Sequence, residues 1–130
     1  MQIAMIEDKI LPFENLEKPY LDRGIYFGDG VYEVVRSYNG KIFALEDHLE
    51  RFNKSLAGIK ISNVDIDLIR RRVLKAFESA GIADAKIYFH ISRGCAVREH
   101  TWDENIKPCF FLTITELPDF TQMKTKGICY

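Results

Sequence analysis

The 130-residue sequence contains few of the features that define specialised protein classes. Its three cysteines are odd in number and lack a CxxC spacing, which excludes a disulfide framework and gives no sign of a metal site. The 18 basic and 19 acidic residues leave a formal charge of −1, so net charge does not direct the chain to nucleic acid or to an anionic membrane. No apolar run approaches the roughly 18 to 20 residues of a membrane helix, and no secretory signal is visible. We therefore expect a reduced, cytoplasmic protein.

Hydrophobic residues, in contrast, are plentiful. They make up 47% of the chain, and aromatic residues make up 12%. This apolar content is too high for a disordered chain, and a chain of this length buries about two-thirds of its unfolded surface on folding. The composition predicts a single globular domain that needs no covalent staples.

A β-hairpin is the clearest local signal. Residues 31–38 are rich in β-branched and aromatic side chains, and a second such run covers 41–44. Asn39-Gly40 lies between them, and this pair is the preferred type I′ turn because both positions must take positive φ. The sequence therefore predicts a hairpin centred on Asn39-Gly40.

Two amphipathic helices are predicted after the hairpin. From Leu45 the apolar residues recur at three- and four-residue spacing, which indicates a helix that ends near Gly58. Ser62-Asn63-Val64-Asp65 reads as a capping box that opens a second helix. The apolar stripe of that helix runs to Ala80, where Gly81 is a natural terminating residue.

The remaining segments predict strands and a linker. Short strands are expected at 3–6 and 10–13, an alternating strand at 86–93, and a largely buried strand at 109–115. This element order predicts an α+β fold, a two-layer α/β sandwich with a largely antiparallel sheet and helices on one face. After Pro118 the chain becomes polar and irregular, so we interpret 1–118 as the domain and 119–130 as a linker.

Arg51 is the first candidate for a binding residue. It lies mid-helix beside the apolar stripe, where an arginine either reaches water or holds an anion. Its guanidinium fork suits two oxygens of a phosphate or a carboxylate. The alternative is an exposed or salt-bridged arginine.

A second group of candidates lies in and near loops. Arg98 and His100 alternate in a polar loop, so their side chains could converge on one carboxylate, the alternative being a solvated loop. Tyr32 follows a glycine turn and lies on a strand. It is either a binding residue or an ordinary tyrosine on the face of the sheet. The three histidines lack ligand spacing such as HExxH, so we expect no metal, and the spacing alone indicates no nucleophile.

Several ordered motifs together carry a family resemblance. They are Asp22-Arg23-Gly24, Phe27-Gly28-Asp29-Gly30-Val31-Tyr32-Glu33-Val34, the hairpin 38–43, and His48-Leu49-Glu50-Arg51-Phe52 with Ser55. The chain resembles the N-terminal domain of class IV (fold type IV) pyridoxal-phosphate aminotransferases over about residues 20–116. The segments 87–94 and Arg98-x-His100 are similar to the D-amino-acid aminotransferase branch.

This resemblance implies roles for four residues. Arg51 would bind the phosphate of pyridoxal 5′-phosphate, and Tyr32 would line the substrate side of the cofactor. Arg98 and His100 would hold the substrate α-carboxylate, reaching into the other subunit of a homodimer. The implied reaction transfers an amino group between an amino acid, of the D-alanine or D-glutamate type, and a 2-oxo acid.

The sequence also departs from the family pattern. Val97 stands where the D-amino-acid branch usually has proline. The Schiff-base lysine, the acidic partner of the pyridine nitrogen and the second phosphate loop belong to a C-terminal domain that we expect to be missing, and Lys124 and Lys126 do not match the lysine motif. We therefore expect the 130-residue chain to carry no catalytic residue and to be inactive alone.

Three other functions remain open. A branched-chain-amino-acid aminotransferase and an aminodeoxychorismate lyase share the fold, although Arg98-x-His100 argues against both. The third is a non-catalytic binding protein that has lost the second half of the family fold.

Overall fold

The computed structural model describes residues 2–6 and 8–127. The strands are β1 (Ile3–Ile6), β2 (Lys9–Pro12), β3 (Gly30–Tyr38), β4 (Lys41–Ile42), β5 (Ala85–Ser92) and β6 (Cys109–Glu116). The helices are α1 (Arg23–Phe27), α2 (Leu45–Gly58), α3 (Ile66–Ala80) and α4 (Thr121–Lys126). None of the helices in this described part is long and apolar enough to cross a membrane.

One four-stranded sheet organises the chain. Its strand order is β4-β3-β5-β6, and each pairing is antiparallel. β1 and β2 form a separate antiparallel pair. Helices α2 and α3 pack on one face of the large sheet through a shared hydrophobic core. The prediction of a two-layer α+β fold is confirmed.

Alternation along β3 and β5 decides which side chains enter the core. Val31 and Val35 of β3, with Ile87 and Phe89 of β5, are buried beneath the helices. Phe52 of α2 contacts Phe89 edge to face, with ring centroids 5.1 Å apart. The intervening β3 residues point to the opposite face, where three are exposed to a substantial degree: Tyr32, Val34 and Tyr38.

The predicted turn and helix ends are largely correct. Asn39 and Gly40 have φ values of 48° and 79°, as a type I′ turn requires. Helix α2 ends at Gly58, and α3 ends at Ala80 with Gly81 in the left-handed conformation. The capping prediction is wrong in detail, because Asp65 and not Ser62 caps α3, accepting hydrogen bonds from the backbone of Asp67 and Leu68.

Two further predictions need correction. β6 is not largely buried: it forms the edge of the sheet with β5 on one side, and no β6 residue is fully buried. The segment after Pro118 is not wholly irregular, since Thr121–Lys126 forms a short helix. Asp119 accepts hydrogen bonds from the backbone N–H and the hydroxyl of Thr121, which stabilises the first turn of this helix. The linker role of 119–130 stays a prediction.

Gly30 marks a close approach between β3 and β5. A Cβ added there would lie 2.6 Å from the backbone oxygen of Ile91. We expect Gly30→Ala to cost about 1–3 kcal/mol of unfolding free energy, because the paired backbone must shift. Urea unfolding checks this. Gly58→Ala is the control: a Cβ there meets nothing within 4 Å, so a loss as large as that of Gly30→Ala would contradict the explanation.

Candidate active site

Glu33 clamps the side chains of two α2 residues, His48 and Arg51. Its alternation along β3 directs it to the helix-covered face, where its side chain is only 3% exposed. Arg51 donates from Nε to Oε1 and from Nη2 to Oε2, both at 2.7 Å. His48 Nδ1 lies 2.7 Å from Oε2 as well. This bidentate geometry fixes the plane of the Arg51 guanidinium.

The clamp leaves part of Arg51 available to a ligand. Its side chain is 68% exposed, and Nη1 makes no hydrogen bond to any residue in the described part of the chain. The hydrogen bonds from Arg51, with His48, outweigh the effect of burial and lower the pKa of Glu33, while Glu33 raises the pKa of Arg51. Arg51 is therefore a fixed, permanently charged donor that faces solvent.

Tyr32 lines a cavity on the open face of the sheet. The cavity has a volume of about 280 Å³, and its walls include Tyr88 and His90 of β5. The Tyr88 hydroxyl and His90 Nδ1 lie 2.9 Å apart. Burial lowers the pKa of His90, and the charge of Asp22 only partly opposes this. The wall beside Tyr32 thus holds an imidazole that is biased towards its neutral form.

A buried ionic network supports the turn between α1 and β3. Asp29 Oδ2 accepts hydrogen bonds from Arg23 Nε at 2.9 Å and from Arg93 Nε at 2.8 Å. The two arginine side chains are 4% and 5% exposed. Burial would raise the pKa of Asp29, but the hydrogen bonds and charges of Arg93 and Arg23 together lower it. One carboxylate therefore compensates two buried cations.

Arg23 also holds the loop that contains Arg98 and His100. Its Nη1 donates to the carbonyl oxygens of Glu99 at 2.6 Å and Thr101 at 3.3 Å, and its Nη2 donates to that of His100 at 3.4 Å. The Arg98 guanidinium carbon lies 4.9 Å from the centre of the Phe27 ring, and the His100 ring centre lies 5.8 Å from it. Both side chains are exposed. The structure thus brings Arg98 and His100 together around Phe27.

The four predicted site residues do not lie in one place. Tyr32 lines the first cavity, whereas His100 lines a second cavity of about 350 Å³ with Phe27 and Trp102. Gly28 and Gly30 line both cavities, so the glycine turn is their shared wall. Arg51 lines neither of them.

Sequence reasoning missed the residues that hold these groups in place. They are Glu33, Asp29, Arg23 and Arg93. Glu33 lies two positions from both Val31 and Val35 and therefore on the same face of β3. A carboxylate on a buried face needs a cationic partner, so this alternation was a usable signal. Asp29 had none, since Arg93 is 64 positions away.

We expect Glu33→Gln to destabilise the protein by less than half as much as Asp29→Asn. Both substitutions remove a carboxylate that accepts from arginines, but Arg51 is already largely solvated and keeps its hydration, whereas Arg23 and Arg93 are enclosed. Urea unfolding of the two variants side by side measures the difference. Equal losses of unfolding free energy in the two variants would show that the exposure of the arginine partner does not determine how much stability is lost.

Comparison with known proteins places this geometry in a family context. The family model for amino-transferase class IV matches residues 30–129. D-alanine aminotransferase of Staphylococcus epidermidis is 33% identical over 103 residues, covering 78% of this chain and 36% of the relative. D-alanine aminotransferase of Bacillus licheniformis is 38% identical over 89 residues, covering 67% of this chain and 31% of the relative. The chain therefore spans about a third of the length of these relatives.

Solved structures share the fold at lower identity. The 4-amino-4-deoxychorismate lyase of Pseudomonas aeruginosa superposes with a TM-score of 0.70 at 24% identity, covering 79% of this chain and 37% of that one. The branched-chain amino acid aminotransferase of Escherichia coli gives a TM-score of 0.71 at 15% identity, covering 84% of this chain and 39% of that one. These similarities establish the arrangement of the sheet and helices.

Proposed function

The chain belongs to the class IV aminotransferase family, and from that premise we propose that it forms the N-terminal part of a pyridoxal-phosphate-dependent aminotransferase. The observation that carries this proposal is the Arg51 guanidinium, which Glu33 fixes through two donors while Nη1 makes no hydrogen bond to any of the described residues. A rigid, exposed cation of this kind suits the phosphate of pyridoxal 5′-phosphate, because phosphate accepts directional hydrogen bonds from a planar fork.

The donor set of this chain fits the cofactor phosphate. Arg51 supplies the permanent charge, and His48 shares the same Glu33 carboxylate and lies 3.5 Å from Arg51 Nη2. Glu33 acts as a positioning residue, since it holds both side chains without facing the ligand. When bound, pyridoxal phosphate supplies an electron sink for the substrate carbon that loses its proton.

Arg98 and His100 are proposed to bind the α-carboxylate of the substrate. An arginine and an imidazole on one carboxylate fix the substrate relative to the cofactor ring and prepare it for proton transfer. Within one chain their loop lies at the second cavity, away from the cavity that Tyr32 lines. This separation supports a homodimer in which the loop of one protomer serves the site of its partner.

The proposed substrates are a D-amino acid, of the D-alanine or D-glutamate type, and a 2-oxo acid. The relatives that support this assignment are named D-alanine aminotransferases, and Arg98-x-His100 is similar to that branch. Tyr32 would line the substrate side of the cofactor, within the cavity of about 280 Å³. The free thiols Cys95 and Cys109 support a reducing, cytoplasmic location.

A substrate panel on the protein at its natural length tests the proposal. D-alanine, L-alanine and L-leucine are offered as donors with 2-oxoglutarate, and 4-amino-4-deoxychorismate is offered for lyase activity. We expect turnover with D-alanine at least about tenfold above that of either L-amino acid, as one misplaced carboxylate contact would produce. Preference for L-leucine or lyase activity would overturn the assignment of substrate class. Absence of all turnover with cofactor present would favour a non-catalytic binding protein.

A further inference from the structure

Two cysteines and an aspartate that are distant in sequence meet near the first cavity. Cys95 Sγ and Cys109 Sγ lie 3.6 Å apart. One carboxylate oxygen of Asp22 joins them, and the three ligand atoms all lie within 4.8 Å of one another. All three residues are half-buried. We name these residues the Asp22 cluster.

The backbone around the Asp22 cluster is well connected. Asp22 and Cys95 form an isolated antiparallel bridge, flanked by the hydrogen bonds Arg23 N to Gly94 O and Ala96 N to Leu21 O, both at 2.9 Å. Cys109 begins β6, where the sheet register is fixed by β5. The three side chains therefore come from backbone segments that are tied to one another.

We propose that Asp22, Cys95 and Cys109 form a three-ligand site for a soft divalent metal ion of the zinc class. Two thiolates on a tetrahedral zinc ion, with Zn–S bonds of about 2.3 Å, stand about 3.7 Å apart, close to the sulfur separation here. A disulfide would need about 2.05 Å. Two sulfurs and one carboxylate oxygen are a ligand set that zinc accepts, with a fourth position for water.

Asp22 retains an oxygen for the metal while it caps α1. Its Oδ1 accepts a hydrogen bond from the Gly24 backbone at 2.7 Å, which orients the carboxylate. Metal binding releases one proton from each thiol and leaves a bound ion with two thiolates and one carboxylate. The sequence predicted no metal site because positions 22, 95 and 109 show no ligand spacing.

The proposed metal site lies beside the first cavity. Asp22 lines that cavity together with Tyr32 and His90, so a bound ion would form part of its wall. The divalent ion, the two thiolates and the carboxylate together carry the same net charge as the Asp22 carboxylate beside two neutral thiols, so metal binding would leave the net charge of this wall unchanged.

Cobalt(II), a spectroscopic substitute for zinc, tests the site in the purified protein under a thiol-free phosphine reductant. We expect one equivalent of cobalt to give a thiolate-to-metal charge-transfer absorption that zinc then removes. Cys95→Ser and Cys109→Ser should each lose this absorption, while Cys129→Ser, the matched cysteine control, should keep it. Asp22→Asn should weaken binding at least about tenfold and still fold, because asparagine caps helices as well as aspartate.

Mass spectrometry gives a second readout that does not depend on the folding of variants. Zinc should protect Cys95 and Cys109 of the unaltered protein from alkylation more than it protects Cys129. Absorption that disappears only in Cys129→Ser, or equal alkylation with and without zinc, would overturn the site. Recovery of Cys95 and Cys109 as a disulfide that the phosphine does not open would also overturn it.

Discussion

Asp29→Asn is expected to lower the free energy of unfolding by about 3–5 kcal/mol, the usual cost of removing one partner from a buried ion pair. The asparagine keeps the shape of the side chain and both backbone hydrogen bonds of residue 29. It removes the charge that compensates Arg23 and Arg93, which are nearly inaccessible to water. Urea unfolding near neutral pH measures the loss.

Asp103→Asn is the matched control. Asp103 is exposed and accepts one hydrogen bond from the Asn105 backbone, which asparagine can also accept. We expect its unfolding free energy to stay within about 0.5 kcal/mol of the unaltered protein. A comparable loss in both variants would show that the effect is not specific to the buried network.

The pH dependence provides an independent check on Asp29. Its pKa in the folded protein is lowered from 3.8, so its contribution to stability is present above that value and is lost as the pH falls through the lowered pKa. The gap in stability between the unaltered protein and Asp29→Asn should therefore narrow below about pH 4. A gap that stays constant down to the acid transition would contradict the assignment.

Arg51→Met is expected to weaken the binding of pyridoxal 5′-phosphate about 10- to 100-fold in the protein at its natural length. The substitution removes a charge-assisted hydrogen bond to the phosphate, and one such bond is worth about one to two powers of ten in affinity. The cofactor affinity of Arg51→Lys should lie between that of the unaltered protein and that of Arg51→Met, since lysine keeps the charge but loses the planar fork. Cofactor titration followed by absorbance measures the dissociation constant.

The matched control for this prediction is Arg71→Met. Arg71 is exposed on α3, and its loss changes the net charge by the same amount. Its cofactor affinity should stay within about twofold of the unaltered protein, as expected for a charge remote from the ligand. If Arg51→Met binds cofactor normally and loses only stability, then Arg51 serves Glu33 alone and the phosphate assignment is wrong.

Local chemistry accounts for the parts of the fold that the sequence predicted well. The Asn39-Gly40 turn and the ends of α2 and α3 depend on residues within a few positions of one another. One error was itself local: Ser62 offered a cap, but Asp65, three positions later, accepts the hydrogen bonds. The other arose where neighbours in space decide the outcome, because the apolar run of β6 gave no sign that it would form an edge.

The candidate site was predictable to a lesser degree. The family resemblance indicated Arg51, Tyr32, Arg98 and His100, and their roles stay predictions. Alternation along β3 could have indicated Glu33, but the pairs themselves could not be identified from spacing, because the partners are far apart along the chain: Arg51 is 18 positions from Glu33, and Arg23 is 76 from Glu99. Such pairs become visible only when strands and loops have been brought together.

Arg23 holds the backbone of the 99–101 loop through contacts that do not depend on which side chains the loop carries. Within this loop Arg23 donates to backbone carbonyl oxygens, those of Glu99, His100 and Thr101, and every amino acid carries that acceptor. A substitution at position 98, 99 or 100 therefore leaves the anchoring acceptors in place. The exposed side chains of this loop can therefore change, and with them the chemistry that the loop presents, while the path of its backbone stays the same.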